Sequence, residues 1–129
     1  RSVCAEMHAG FGALRGHLGM NIEASLPEVG ARVLAEQPQV RDDIARIVAM
    51  WGELLEQHGG PMLFGAFGIA DAFFAPVVTR LRTYGVSVPA PIAAYIERVL
   101  ALPGVAAWIA GALAEHDFLA FEEAYRTQR

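Results

Sequence analysis

Apolar residues recur at spacings of three and four along most of the chain, which is the periodicity of a helix with one buried face. No stretch shows the alternation typical of a half-buried β-strand. The clearest stripe lies in Pro38–His58, where the proline suits a first helical turn and the following Gly59-Gly60-Pro61 ends the helix. The pattern predicts an all-α fold, a helical bundle of about six helices with short connections.

Breaks in this periodicity set the other predicted boundaries. Further helices are predicted over residues 2–18, 68–84, 89–102, 105–113 and 118–125, and residues 26–36 are predicted to form a short helix or a loop. Gly10, Gly12 and Gly16 weaken the first helix by about 1 kcal/mol each relative to alanine. Pro76 lies inside the helix over residues 68–84, where the loss of one backbone hydrogen bond predicts a bend.

The composition is apolar for a chain of one-domain length, with 54% hydrophobic residues in 129. The mean hydropathy is +0.34. Two interpretations stay open: a composition rich in alanine and glycine, or a surface that another domain or subunit normally covers.

The charged residues argue against a nucleic-acid surface, because the formal net charge is −4 and the ten basic residues are arginines scattered singly. The single cysteine, Cys4, excludes an internal disulfide and favours a reducing compartment, from which we predict a cytoplasmic location. The longest uncharged stretch, residues 99–114, is interrupted by Pro103-Gly104 and is too short to cross a bilayer comfortably, so no membrane association is predicted.

The most informative motif lies at the predicted start of the helix over residues 68–84. With Gly68 as the N-cap, Asp71 is the third helical residue, where a carboxylate accepts a hydrogen bond from the N-cap N–H and complements the helix dipole. Phe67, just before the cap, fits the hydrophobic-staple pattern. Helix physics explains this aspartate without any chemistry, so Gly68 and Asp71 are predicted to form a structural N-cap motif.

This motif and the residues after it resemble the glutathione transferase superfamily, in which Ser or Thr, two residues and Asp open the central helix of the C-terminal domain. Residues 72–80 with Thr83 and Tyr84 are similar to a bacterial branch of that family, as are residues 5–11 with Leu14 and Arg15. Trp51 and residues 62–65 also lie where the family resemblance predicts them. Gly68 departs from the pattern because it has no hydroxyl, a loss that costs only a few tenths of a kcal/mol.

The resemblance implies that residues 1–129 are the all-helical C-terminal domain of a glutathione transferase. The thioredoxin-like N-terminal domain, which holds the co-substrate glutathione, is then expected outside this chain. The implied reaction is attack by glutathione thiolate on a small apolar electrophile, as in detoxification, by a homodimer. The chain itself is expected to be inactive alone and to hold no cofactor.

By position in the family, the first helix lines the substrate pocket and helps to form the dimer interface. This makes Met7, Phe11, Leu14 and Arg15 candidates for substrate binding or interface contact, with Arg15 available to pair with an acidic group across the domain interface. An alternative is that the three apolar members are ordinary core residues at helical spacing.

No residue pattern predicts a catalytic or metal site within the chain. Cys4 and His8 share a helix face, but no third group orients them, so an incidental pair is favoured. Motifs such as HExxH and CxxC are absent. A second hypothesis therefore stays open, in which the chain is a stand-alone, non-catalytic interaction module of the same fold.

Overall fold

The computed structural model describes residues 2–128, and these fold into seven helices without a β-strand. The helices are α1 Ser2–Ala9, α2 Gly12–His17, α3 Pro27–Glu36, α4 Pro38–His58, α5 Ile69–Thr83, α6 Ala90–Ala101 and α7 Pro103–Glu115. Two isolated β-bridges, Met62 to Gly65 and Phe64 to Ala66, lie in the loop between α4 and α5. The predicted all-α fold is confirmed.

The first predicted helix is two helices, which corrects the single helix over residues 2–18. The break occurs at Gly10 and Phe11, and Phe11 has left-handed backbone angles, φ 56° and ψ 38°. Gly10 is required here, because a Cβ atom at this position would lie 2.5 Å from the carbonyl oxygen of Glu6. The turn carries the Phe11 ring into the core, where it packs near Phe74 with 6.4 Å between ring centroids.

The short helix α2 receives its N-terminal cap from another helix. Phe11 at the N-cap makes no side-chain capping bond, whereas the N–H of Leu14 donates to the Asp43 carboxylate of α4 at 2.9 Å. The opposite end of α4 terminates at Gly59, whose φ of 72° is the left-handed conformation that glycine adopts without strain.

Helix α5 lies at the centre of the fold and contacts α1 and α6, while α4 contacts α2, α3 and α6. The largest fully buried side chains include Trp51, Phe74 and Tyr95 from α4, α5 and α6. Their rings meet edge to face, with centroids 5.4 Å apart for Trp51 and Phe74 and 5.0 Å apart for Trp51 and Tyr95. Aromatic contacts from three helices therefore define the middle of the core.

Helix α3 packs closely against the end of α5. A Cβ atom at Gly30 would lie 2.0 Å from the carbonyl oxygen of Tyr84, so only glycine permits this approach. Residues 26–36 were predicted to form either a short helix or a loop, and the structure shows a helix that begins at Pro27.

The last predicted helix, over residues 118–125, is wrong. Helix α7 ends at Glu115, and His116 takes a left-handed conformation with φ 58°. The following chain forms hydrogen-bonded turns, because Tyr125 and Arg126 bond to distant parts of the fold and these contacts override local helix propensity.

Within residues 2–128, no single helix has the length and apolar composition needed to cross a membrane. Helices α6 and α7 reach that length and apolar composition only when they are taken together, and the two helices are bent by 71° at their junction.

Candidate functional site

A buried carboxylate holds the start of α5 against the loop before it and against α6. Asp71 has no exposed surface and accepts three hydrogen bonds. The donors are the N–H of Gly68 at 2.9 Å, the N–H of Leu63 at 3.2 Å and the hydroxyl of Tyr95 at 2.9 Å. Because Gly68 lacks a side chain, only the aspartate half of the reciprocal capping pair forms. Asp71 thus fixes the geometry of the loop between α4 and α5.

The environment of Tyr95 keeps its hydroxyl in the protonated, donating form. Burial raises the pKa of Tyr95 above its ordinary value, and the charge of Asp71 and the hydrogen bond to it raise the pKa further. The neighbouring Trp51 is fully buried, and its indole Nε1 has no hydrogen-bond partner among the described residues. Tyr95 therefore acts as a donor to Asp71 at the edge of the aromatic core.

Four large apolar side chains project to solvent around the start of α5, and we call them the apolar face. They are Phe64, Phe67, Ile69 and Phe73, with exposed fractions of 47%, 54%, 73% and 41%. Large apolar side chains clustered in this way mark interaction sites rather than ordinary surface.

Two grooves open along the apolar face, one on each side of α5. The first encloses about 460 Å³ and is lined mainly by Val3 and Cys4 of α1, Phe64 of the loop, and Ile69 and Phe73 of α5. The second encloses about 430 Å³ between α5 and the α6–α7 junction. Its lining includes Phe67, Ala72, Ala75, Leu102, Val105 and Trp108. Both linings are almost entirely apolar, so these grooves suit hydrocarbon or aromatic groups rather than charged ones.

The structure separates the four predicted substrate residues. Met7, Phe11 and Leu14 are buried, with exposed fractions of 8%, 6% and 0%, whereas Arg15 is exposed. Met7, Phe11 and Leu14 are therefore core residues of the described chain. Their helical spacing allowed this alternative from the start. Their part in substrate binding stays a prediction.

Arg15 lies close enough to Arg80 for the two positive charges to repel each other. Burial lowers the pKa of Arg80, and the charge of Arg15 lowers it further. The Arg80 guanidinium is held by two carbonyl oxygens, those of Leu18 at 3.0 Å and Pro76 at 3.3 Å. Among residues 2–128, no carboxylate forms an ion pair with either arginine.

Helix α1 carries three further side chains with reactive or ionisable groups, which are Cys4, Glu6 and His8. Cys4 is a half-buried free thiol that lines the first groove, and His8 is exposed. Glu6 instead forms a bidentate ion pair with Arg46 of α4, at 2.7 and 3.0 Å, and the hydrogen bond from Arg46 lowers the pKa of Glu6. No group of three or more His, Cys, Asp or Glu side chains within the described part of the chain is arranged to hold a metal ion.

The apolar face was missed by sequence reasoning, although a signal for it exists. Residues 62–67 are uncharged and mostly apolar, and an apolar loop next to a helix start has few ways to bury every side chain. Phe73, Val77, Leu81 and Tyr84 share one helical spacing, and Phe73 alone of these four is exposed.

Comparison with protein families identifies the family of the chain. Residues 3–111 match the family model described as glutathione S-transferase, C-terminal domain. Comparisons with curated proteins and with solved structures give no match. The family model covers helices α1 to α6 and most of α7, so it includes the Asp71 network and the whole apolar face.

Proposed function

The chain belongs to the glutathione S-transferase C-terminal domain family, and from this premise we propose that it is the apolar-substrate and docking domain of a glutathione transferase. The reaction proposed for the full-length protein is conjugation of glutathione to small apolar electrophiles. A bacterial detoxification enzyme fits the similarity of residues 5–15 and 72–84 to that branch.

The apolar face is the observation that carries this proposal. Its four exposed side chains and two apolar grooves offer binding surface for a hydrophobic substrate and for a second domain. The Asp71 network holds the loop and the helix start that present this surface. A preorganised surface loses less conformational entropy on binding than a mobile one.

We assign the reactive chemistry to an N-terminal thioredoxin-like domain, which would hold glutathione and ionise its thiol. Cys4 is a half-buried thiol in the first groove and His8 is exposed, and neither is assigned a part in catalysis. Arg15 is proposed to pair with an acidic group of that domain or of the ligand. Met7, Phe11 and Leu14 are proposed to support the substrate pocket from the core side.

The oligomeric state and location follow from the same proposal. A homodimer is expected, because a second copy covers apolar surface that one domain leaves exposed. A cytoplasmic location agrees with a single free thiol and with a reaction that depends on reduced glutathione.

The gene upstream of the Arg1 codon provides the first test. A thioredoxin-like βαβ sequence with its cis-proline segment is expected there, in the same reading frame. A start codon directly before Arg1 would contradict the enzyme and favour the alternative, a stand-alone interaction module of this fold.

The second test compares two matched variants of the full-length protein. Ile69 is 73% exposed in this chain, and Ile69→Glu places a charge on the apolar face. We expect kcat/KM for glutathione and an aryl halide to fall roughly ten-fold or more, because the proposed burial of this side chain against the substrate or the second domain is lost. Phe121→Glu is the control, since Phe121 is 81% exposed and lies outside both grooves. Equal activity of the two variants would refute the role of the apolar face.

A further inference from the structure

The chain after α7 folds back over the bundle instead of extending from it. His116 turns the backbone with its left-handed conformation, φ 58°. Two turns follow, in which the N–H groups of Glu122 and Glu123 donate to the Leu119 carbonyl, and the N–H of Arg126 donates to the Glu123 carbonyl. The middle of this segment is loosely packed, since Leu119 and Phe121 are 53% and 81% exposed.

Tyr125 anchors the far end of the segment to three helices. Its hydroxyl donates to the carbonyl of His17 at the end of α2, at 2.5 Å. Its ring meets the ring of Tyr84 edge on, with centroids 6.1 Å apart and an interplanar angle of 81°. The guanidinium of Arg32, from α3, lies 6.0 Å from the Tyr125 ring centroid.

Arg126 forms a second anchor, made of charged and polar groups. Its guanidinium donates to the side-chain oxygen of Asn21 at 3.2 Å and pairs with Glu23 at 3.6 Å and Glu123 at 3.9 Å. Asn21 also donates to the Glu123 carboxylate. The Arg126 side chain is only 16% exposed, so this cluster is largely shielded from solvent.

A groove of about 400 Å³ lies between the segment, the end of α7 and the connection from α2 to α3. Its lining mixes apolar side chains with carboxylates, including Met20, Ile22 and Leu119 beside Glu115, Asp117 and Glu122. Residues 117–123 supply part of this lining, so their displacement would widen the groove. The same displacement would remove the Tyr125 ring from Tyr84.

We propose that residues 117–126 form a strap that opens and closes over this groove as one unit, with His116 as the hinge and Tyr125 and Arg126 as the latch. The contacts are concentrated at the far end of the strap, while the middle exposes apolar side chains. Loss of the latch therefore releases the strap without disturbing the aromatic core. Segments held by a few contacts open locally at lower free energy than the whole fold.

Trypsin cleavage after Arg126 measures this opening, because the protease needs that bond in an extended, accessible conformation. The full chain and its Tyr125→Leu variant are compared without denaturant at one temperature. Urea unfolding curves recorded at that temperature must first show that both proteins are folded. We expect Tyr125→Leu to be cleaved there about ten-fold faster than the parent, in proportion to the larger open population. Phe121→Ser is the matched control, since it alters an exposed strap residue outside the latch and should be cleaved at the parent rate.

Two further measurements on the same variants separate strap opening from general destabilisation. Hydrogen exchange should accelerate in residues 117–126 of Tyr125→Leu and stay unchanged in α5. The pKa of Tyr84, about 12 in the closed form because of burial, Tyr125 and Glu123, should fall toward the ordinary tyrosine value. Equal cleavage of Tyr125→Leu and Phe121→Ser, or equal acceleration of exchange in the strap and α5, would overturn the proposal.

Discussion

Asp71 is the residue on which most of the local structure around the apolar face depends. The sequence motif predicted one hydrogen bond from the N-cap, and the structure adds two donors from outside the helix, Leu63 and Tyr95. Those two partners lie 8 positions before and 24 positions after Asp71. Local pattern reasoning reaches only the first of the three contacts, because capping rules describe neighbours within one helical turn.

Replacing Asp71 by alanine should therefore destabilise the domain by about 2–4 kcal/mol, more than loss of a simple cap, because buried donors are left without an acceptor. Tyr95→Phe removes one of the three donors and should cost about 1–2 kcal/mol. Urea unfolding monitored by circular dichroism measures both. If the two variants were equally stable, Asp71 would be acting through Tyr95 alone.

Tyr84 gives the molecule a defined sensitivity to alkali. Burial, with help from Tyr125 and Glu123, raises the pKa of Tyr84 to about 12, whereas an unfolded tyrosine ionises near its ordinary value of about 10. Between these values the unfolded state has released a proton that the native state retains, so stability falls as pH rises. Below pH 10 the stabilisation is fully present.

We expect the free energy of unfolding to fall by about 2–3 kcal/mol between pH 10 and pH 12 from Tyr84 alone. The chain has no lysine, so no ammonium side chain titrates in this window. Urea melts at several pH values test this, and in Tyr84→Phe the slope should shrink. A parent midpoint that does not change with pH would contradict the predicted linkage.

Among the elements, helices with strong local signals were predicted well and those shaped by distant contacts were not. Proline and glycine bracket α4, and its predicted bounds, Pro38–His58, agree with the structure. The break at Phe11 was missed although Gly10 permits it, because the packing of Phe11 near Phe74 that accompanies the left-handed turn is a long-range contact. The C-terminal turns were missed for the same reason, since Tyr125 and Arg126 bond to residues about a hundred positions away.

Two glycines that look alike in the sequence have opposite structural roles, and this gives a matched test of helix packing. Gly30→Ala should destabilise the domain by about 3 kcal/mol, since its Cβ would overlap the carbonyl oxygen of Tyr84. Gly52→Ala, inside α4 with no atom within 4 Å of the new methyl group, should stabilise it by about 0.5–1 kcal/mol. Thermal melts compare them, and opposite signs are the expected outcome.

For the whole molecule, the fold class and the family were predicted correctly from the sequence, and its apolar composition left open whether another domain or subunit covers part of the surface. It did not locate that surface, because periodicity identifies which residues share a helix face and not which face meets solvent. Ile69 illustrates the point, since its type favours burial and it is 73% exposed.

The chain alone is expected to associate through the apolar face and to conjugate no glutathione. Exposed patches of this kind find partners, and the residues that would ionise a thiol are assigned to another domain. Light scattering after size-exclusion chromatography should show a dimer or larger species that Ile69→Glu converts to monomer. A monomeric parent would contradict the association, and turnover above the uncatalysed rate would contradict the inactivity.

The cap that Asp43 supplies to α2 implies an order of events during folding. A six-residue helix is too short to persist in isolation, and its first turn is completed only after α4 has formed beside it. Helix α2 should therefore be unstructured in the transition state, with a φ-value near zero. In Asp43→Ala, loss of about 1 kcal/mol should speed unfolding roughly five-fold and leave the refolding rate unchanged in stopped-flow measurements. Refolding slowed by the same factor would instead show that α2 docks early, as part of the nucleus.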